Sequence, residues 1–175
     1  PPVYLMDKQA IYDYLQERHI DYQLTEHAAA HSMTTLSELG LPHPEAMAKN
    51  IFVRDDRHER FYLITLRGDK RVKLNKFKRL YGTRTLTFAS EEELERILGL
   101  KAGSVSPLGL LHDATHQVEL YLDSEYAAEG ALIGIHPCDN TATLCLPVRS
   151  LVELLRALQR GRRLPVGRVV RVGRP

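Results

Sequence analysis

The chain has 175 residues, of which 43% are hydrophobic and 26% charged, a composition typical of one folded domain and not of a disordered chain. No apolar run approaches the roughly 20 residues of a membrane-spanning helix, and the first residues lack the basic start of a signal peptide. The two cysteines, Cys138 and Cys145, have no metal-type spacing and indicate free thiols in a reducing compartment. The sequence therefore predicts a cytoplasmic protein that is not embedded in a membrane.

The predicted elements alternate between helix-period and strand-period stretches. In chain order they are a helix at residues 7–19, a strand at 22–26, a brief helix at 34–39, a strand hairpin at 50–54 and 60–66, a helix at 76–81, a strand at 84–88, a helix between Ser90 and Gly99, strands at 118–122, 131–135 and 142–146, and a helix between Ser150 and Gly161.

Three helix starts carry capping signals. Asn75 is a candidate cap for the helix at 76–81, and the pairs Ser90 with Glu93 and Ser150 with Glu153 have the spacing of capping boxes. Together the elements predict an α/β (α+β) fold, a mixed, largely antiparallel sheet of about seven strands covered by helices. Residues 1–165 are predicted to be a single domain, and residues 166–175 a basic C-terminal tail without fixed structure.

The charge is unevenly distributed although the net charge is only +2. The last sixteen residues contain six arginines and no acid, so residues 1–159 carry 18 basic and 22 acidic side chains. Within that acidic body a basic cluster occupies thirteen positions and is opposed only by Asp69. Its members are Arg67, Lys70, Arg71, Lys73, Lys76, Lys78 and Arg79. Such local charge favours a polyanion site, although a solvated face has the same pattern.

Histidine spacing raises the possibility of a metal site. His112 and His116 are four residues apart with Asp113 beside them, and His27 and His31 have the same spacing. The glycine- and proline-rich approach to residue 112 favours a loop, and no third ligand has a plausible spacing. The sequence therefore predicts no metal and no cofactor.

Covalent catalysis has one candidate, the thiol of Cys138. His136 lies only two residues away and Pro137 separates them, so the two side chains cannot easily face each other. A buried, inert thiol is the better interpretation.

Three other segments could carry chemistry. Lys49 begins an apolar strand and can project its ammonium into a cleft, although a surface lysine would have the same local sequence. Residues 99–109 lack the Lys-Ser/Thr ending of a Walker loop but can form a backbone cradle or an ordinary connection. His136 ends an apolar strand before the turn-forming residues 137–140, where it can contact a substrate or serve only structure.

Together these segments resemble one family. KNIFV at 49–53, GSVSPLGLL at 103–111 and GIHPCDNTATL at 134–144 are similar, in order and spacing, to the YbaK/ProX superfamily of aminoacyl-tRNA editing domains, which includes the insertion domain of bacterial prolyl-tRNA synthetase. The resemblance covers about residues 7–165 and is strongest to the freestanding alanyl-tRNA(Pro) deacylases. The resemblance implies the fold of these editing domains and the activity of a trans-acting hydrolase that clears mischarged alanine from proline tRNA. The alternatives are a Cys-tRNA(Pro) or broader deacylase, or a non-catalytic module that binds tRNA or a synthetase.

The resemblance also implies residue roles. Lys49 matches the family's essential lysine and Asn50 its neighbour in the alanine-editing group. Gly103 and Pro107 match a Gly-x-x-x-Pro loop that holds the aminoacyl ester, and His136 matches a histidine that narrows the amino-acid pocket. The implied catalytic set is Lys49, Gly103, Ser104, Val105, Ser106 and Pro107, and the implied substrate-binding set is Asn50, His136 and Asn140.

Partners follow from the same resemblance. The acceptor end of proline tRNA is the expected substrate, and prolyl-tRNA synthetase is a further candidate partner. Phosphate contacts are expected from Arg67, Lys70, Arg71, Lys73 and Lys76. An aminoacyl ester is already activated, so hydrolysis needs a positioned water and stabilisation of the developing oxyanion, not a protein nucleophile.

Overall fold

The computed structural model describes residues 7–30, 32–113, 115–157 and 168–170. Its helices are α1 (Lys8–Glu17), α2 (Met33–Glu38), α3 (Leu74–Tyr81), α4 (Glu91–Leu98) and α5 (Val148–Ala157). Its strands are β1 (Gln23–Glu26), β2 (Ala48–Asp55), β3 (Phe61–Arg67), β4 (Leu86–Phe88), β5 (Val118–Asp123), β6 (Leu132–Ile135), β7 (Ala142–Pro147) and β8 (Arg168–Val170). None of these helices is both long and apolar enough to cross a bilayer.

The described strands form two sheets. The larger has the order β4-β2-β3-β5-β8 and the smaller the order β1-β7-β6. Four of the six pairings are antiparallel, and only β3–β5 and β5–β8 are parallel. The predicted α+β class with largely antiparallel strands is confirmed. The strands divide into two sheets instead of one because β7 pairs with the N-terminal β1 and with β6, and not with the hairpin β2–β3.

The larger sheet is buried on both faces, which explains the unbroken apolar sequence of β3. Phe61 and Leu63 point into the main core, which α1, α4 and α5 also fill. Tyr62 and Ile64 point to the opposite face, into a second cluster closed by Phe77 of α3. Alternate residues of a strand face opposite sides, so a strand covered on both sides needs apolar residues throughout.

Capping accounts for one of the three predicted helix starts. Ser90 and Glu93 form the expected capping box at α4. The prediction for Asn75 was wrong: α3 begins at Leu74, whose side chain packs against the second cluster, so Asn75 lies inside the helix. The prediction of a capping box at Ser150 was also wrong, because α5 starts at Val148, directly after β7.

The basic tail contains a strand. Arg168–Val170 pairs in parallel with Tyr121–Asp123 of β5. The expectation of a tail without fixed structure was therefore wrong for these three residues, because β5 offers an unpaired edge on that side. The rest of the predicted tail, residues 166–167 and 171–175, lies outside the described residues.

Candidate active site

A pocket of about 610 Å³ opens where the two sheets meet. Met47, directly before β2, forms an isolated parallel bridge with Gly134 of β6, and we call this contact the seam. A Cβ atom on Gly134 would lie 3.3 Å from Met47 Cα and far inside contact distance of its Sδ and Cε. A larger residue would force Met47 to move, so glycine allows the sheets to approach this closely. The seam brings the start of β2 next to the end of β6, and both line the pocket.

One side of the pocket is mostly apolar. Ala30, Met33 and Leu36 contribute to it from residues 27–30 and 32–39, which we call the wall segment. Backbone hydrogen bonds hold this segment against the loop before β7, with the His27 amide donating to Thr141 O and the Ala30 amide to Asn140 O. Met47 and Ile135 complete the apolar lining.

Lys49 and Asn50 supply hydrogen-bond donors from β2. Asn50 is paired with Thr65 of β3, whose fully buried hydroxyl donates to Asn50 Oδ1 at 2.6 Å. That contact occupies the amide oxygen and leaves the NH₂ group for the pocket. Lys49 is partly buried and makes no hydrogen bond or ion pair with the described residues. Its ammonium is therefore available to a ligand.

The Gly103–Pro107 loop contributes only part of its predicted set. Gly103, with φ +87°, and Val105 line the pocket. Ser104 and Pro107 are buried and do not line it. The Ser106 hydroxyl is fully buried and accepts from the Leu108 amide, capping the short 3-10 helix Pro107–Leu111. The loop therefore brings Gly103 and Val105 to the pocket, and the Ser106 hydroxyl serves the fold.

His136 lines the pocket from the smaller sheet, and its Nδ1 lies 2.8 Å from the carbonyl oxygen of Ala142. Burial lowers the pKa of this imidazole below its ordinary value, so the ring is neutral at pH 7. Thr143 lies beside it and is buried. Asn140, expected to bind substrate, does not line the pocket, and its backbone carbonyl instead holds the wall segment.

The thiol of Cys138 agrees with the interpretation of an inert group. Burial raises its pKa to about 12, so it is protonated at neutral pH. Asp113 does not form a metal site with its neighbouring histidines, since its carboxylate accepts from the Gln117 and Val118 amides and closes a turn. His31 lies outside the described residues. Within the described ranges no three His, Cys, Asp or Glu side chains gather as a metal-ligand group.

The basic cluster divides into two parts. Arg71 lies at the pocket mouth, and Lys73 and Lys76 line a separate groove of about 670 Å³ along α3. Lys70 and Arg67 turn away toward acidic side chains.

The contacts of Lys70 and Arg67 are internal. Lys70 Nζ lies 2.6 Å from Asp123 and 2.8 Å from Glu125, and Arg67 Nε donates to the Glu45 carbonyl. Burial alone would raise the pKa of Asp123, but hydrogen bonds from Lys70 and from the Arg67 and Glu125 amides outweigh it and lower that pKa. Lys70 is therefore neutralised within the fold, unlike Arg71.

The sequence interpretation missed several functional positions. Thr65 and Thr143 look like ordinary strand residues, and their relation to the pocket depends on cross-strand partners that local sequence does not reveal. The apolar lining residues look like core. Gly134 had a usable signal, since a glycine within an apolar strand often marks a close backbone approach.

Two sheets meet at a glycine, and a lysine and a histidine line one pocket from opposite sides of the seam. These features define a class of α+β domain with a candidate ligand-binding pocket. The sequence profile of the aminoacyl-tRNA editing domain matches residues 27–154. The chain belongs to that family.

Individual relatives agree with this assignment. The chain is 32% identical to the prolyl-tRNA editing protein ProX of Acetoanaerobium sticklandii over 150 residues, 86% of this chain and 91% of the relative. It is also 32% identical over 90 residues to the proline–tRNA ligase of Caldicellulosiruptor bescii, which covers 51% of this chain and 14% of the ligase. A crystal structure provisionally described as a trans-editing enzyme for prolyl tRNA synthetase has the same fold, with a TM-score of 0.65 and 20% identity, over 93% of this chain and 98% of that one.

Proposed function

We propose that this protein is a trans-acting deacylase that hydrolyses Ala-tRNA(Pro). Family membership and similarity to a prolyl-tRNA editing protein support an aminoacyl-tRNA substrate. The observation that carries the proposal is the position of Lys49 and Asn50. Both present unused donors to a small pocket whose nearby thiol is protonated. Such a site can bind and polarise an ester without attacking it.

Hydrolysis is accelerated by donors that stabilise the oxyanion formed from the ester carbonyl. As water adds to the ester carbonyl, negative charge grows on its oxygen, and pre-positioned donors lower the energy of that state. The Lys49 ammonium and the Asn50 amide are the side-chain donors, and the backbone N–H of Val105 is a third. The family resemblance assigns the terminal ribose hydroxyl of the tRNA a part in activating the water.

Size selects the acyl group. In this proposal the alanyl methyl packs against the wall that Ala30, Met33 and Met47 line, and a larger side chain would collide with that wall. A pocket rejects larger groups by clash far better than it rejects smaller ones by weak binding. A cysteinyl group exceeds alanyl by one sulfur atom, so Cys-tRNA(Pro) is the second candidate substrate.

Proline tRNA is supported as the nucleic-acid partner by the names of the ProX relative and of the ligase that contains a similar segment. Of the five cations predicted to contact its phosphates, Arg71, Lys73 and Lys76 remain, since Lys70 is paired with Asp123 and Glu125 and Arg67 is held by Glu45 and Glu125. The similarity to a segment of the ligase also makes prolyl-tRNA synthetase a candidate partner.

The test is deacylation of Ala-, Cys-, Ser- and Pro-tRNA(Pro) by the purified protein. We expect alanine to be cleared fastest and Lys49→Ala to lower kcat/KM by about 100-fold or more, the usual effect of removing an oxyanion donor. Lys101→Ala, which removes an exposed lysine outside the pocket, is the matched control. Hydrolysis no faster than in buffer would refute the proposed function, and faster clearance of cysteine would reverse the assignment of the amino acid.

A further inference from the structure

The hydrogen bonds around His27 have a fixed direction. Its Nδ1 lies 2.7 Å from the Ala28 carbonyl oxygen, and its Nε2 lies 2.7 Å from Thr143 Oγ1. A carbonyl can only accept, so Nδ1 carries a proton, and in the tautomer protonated at Nδ1 the Nε2 has a lone pair. The Thr143 hydroxyl must therefore donate its one proton to His27. Its oxygen lone pairs remain for the pocket that Thr143 lines.

His136 also has a hydrogen-bond acceptor, for a reason that does not depend on His27. Its Nδ1 faces the Ala142 carbonyl and must donate to it, which leaves Nε2 as an acceptor. No described residue occupies that nitrogen. The rings of His27 and His136 lie 6.2 Å apart, and both acceptor residues line the pocket from the smaller sheet, Thr143 on β7 and His136 directly after β6.

The pocket is thus polarised across the seam. Donors come from Lys49 and Asn50 of the larger sheet, and acceptors come from His136 and Thr143 of the smaller sheet. An aminoacyl ester has the complementary polarity, because its carbonyl accepts hydrogen bonds and its α-ammonium group donates them.

We propose that Thr143 Oγ1 and His136 Nε2 bind the free α-ammonium group of the aminoacyl ester, so that this protein requires an unblocked amino group in its substrate. The proposal rests on the proposed function. His27 is a positioning residue, because it acts by directing the Thr143 hydroxyl. Blocking by an N-acetyl group removes the positive charge and all but one N–H donor and adds volume, so N-blocked aminoacyl esters are rejected.

Among the described lining residues Asp69 is the only acid, and it could attract an ammonium instead. Its side chain is exposed at the pocket mouth, where solvent weakens its attraction, whereas Thr143 is buried. Asp69→Asn therefore separates the two explanations.

The experiment measures binding of two non-hydrolysable 3′-amide adenosine analogues by calorimetry at pH 7. One carries an alanyl group and the other a lactyl group, which replaces the ammonium with a hydroxyl of similar size. We expect the alanyl analogue to bind about tenfold more tightly to the unaltered protein, a difference typical of a lost charge-assisted hydrogen bond. Thr143→Val should reduce that ratio to about threefold or less, while Thr143→Ser and Asp69→Asn retain it.

His27 has its own readout. His27→Phe removes the acceptor that orients Thr143, so the ratio should fall, and His27→Gln, whose side-chain carbonyl can accept, should restore part of it. Unfolding temperatures of all variants are compared, and Thr143→Ser keeps the proposal testable if Thr143→Val fails to fold.

Equal binding of the two analogues, or an unchanged ratio in Thr143→Val, would overturn the inference. If the alanyl preference were lost only in Asp69→Asn, the ammonium would bind at the pocket mouth, and the inference would be overturned as well.

A kinetic experiment compares the hydrolysis of Ala-tRNA(Pro) with that of N-acetyl-Ala-tRNA(Pro). Hydrolysis of both at equal rates refutes the amine requirement and leaves the proposed function standing. An alanyl preference in binding without any deacylation refutes the proposed function and supports the ammonium site.

Discussion

Asn50 has a fixed amide orientation because a neighbouring strand holds its oxygen. The Thr65 hydroxyl is completely buried and donates to Asn50 Oδ1. A buried hydroxyl without a partner would cost about 1–3 kcal/mol, and this cost holds the pair together in the folded state. The orientation of a pocket donor therefore depends on a residue that does not line the pocket.

Replacement of Thr65 tests this dependence. Thr65→Val preserves shape but frees the Asn50 amide to rotate, and we expect kcat for Ala-tRNA(Pro) to fall by about tenfold, equivalent to about 1.4 kcal/mol. Thr65→Ser retains the hydroxyl and should retain most of the activity. Single-turnover deacylation gives the measurement. Full activity in the valine variant would mean that Asn50 is oriented by other contacts or is not needed.

Residues of the site differ in how far the sequence could reveal them. Lys49, Gly103 and His136 occur within short motifs whose order and spacing identify a family. Thr143 also lies within one of these motifs, but the motif does not mark its hydroxyl, because the proposed role depends on a hydrogen bond to His27, 116 positions away. Ser106 does not line the pocket and its hydroxyl caps a 3-10 turn, a position that a serine before a proline can take as readily as one that faces a ligand.

Strands β2 and β6 meet at the seam without forming a continuous sheet. The contact is a single bridge between Met47 and Gly134, and it brings both strand ends to the pocket. The hairpin and the strand alternation could be predicted from local sequence. The division into two sheets could not, since it depends on β7 pairing with β1, more than 100 residues earlier.

Gly134→Ala should disturb the seam. The new Cβ would collide with Met47 Sδ and Cε and crowd its Cα, and overpacking of this kind costs about 1–3 kcal/mol. For a chain of this size we expect Tm to fall by about 2–4 °C per kcal/mol. Adding Met47→Ala should restore part of the loss, because it removes the two side-chain atoms but not the crowded Cα.

Gly130→Ala is the control for the seam. That site has open space around it and a positive φ, so alanine there costs only backbone strain of about 1–2 kcal/mol. Thermal unfolding and urea titration measure the loss of stability in Gly134→Ala and in Gly130→Ala. If Met47→Ala restores nothing to Gly134→Ala, the clash is not the cause of the loss.

Ion pairs decide which of the basic side chains leave positive charge on the molecular surface. Seven cations lie between residues 67 and 79, but Lys70 is bound to Asp123 and Glu125. Arg71 at the pocket mouth and Lys73 and Lys76 on the α3 groove form the surface that we expect to contact tRNA phosphates.

Salt dependence distinguishes these two groups. Changing Arg71, Lys73 and Lys76 together to Gln should weaken tRNA binding and reduce the slope of log K against log salt by about 2, since each phosphate contact contributes about 0.7–0.9. Lys70→Gln should leave the slope nearly unchanged but lower stability by about 1 kcal/mol, because Asp123 loses its partner. Arg156→Gln, an exposed cation on α5, is the matched control. An unchanged slope in the triple variant would show that this surface does not contact RNA.

The wall segment is held by main-chain hydrogen bonds from His27 and Ala30 to the loop before β7, and the Ser32 side chain caps its helix. Main-chain contacts do not depend on the side chains that point into the pocket. Lys49, Asn50 and Thr65, at the reacting end, lie on other strands. In the proposed function, cleavage of the ester therefore depends on strands other than the wall segment. We expect substitutions at a few wall positions, such as Met33 and Leu36, to change which acyl group is accepted without altering the residues that cleave the ester.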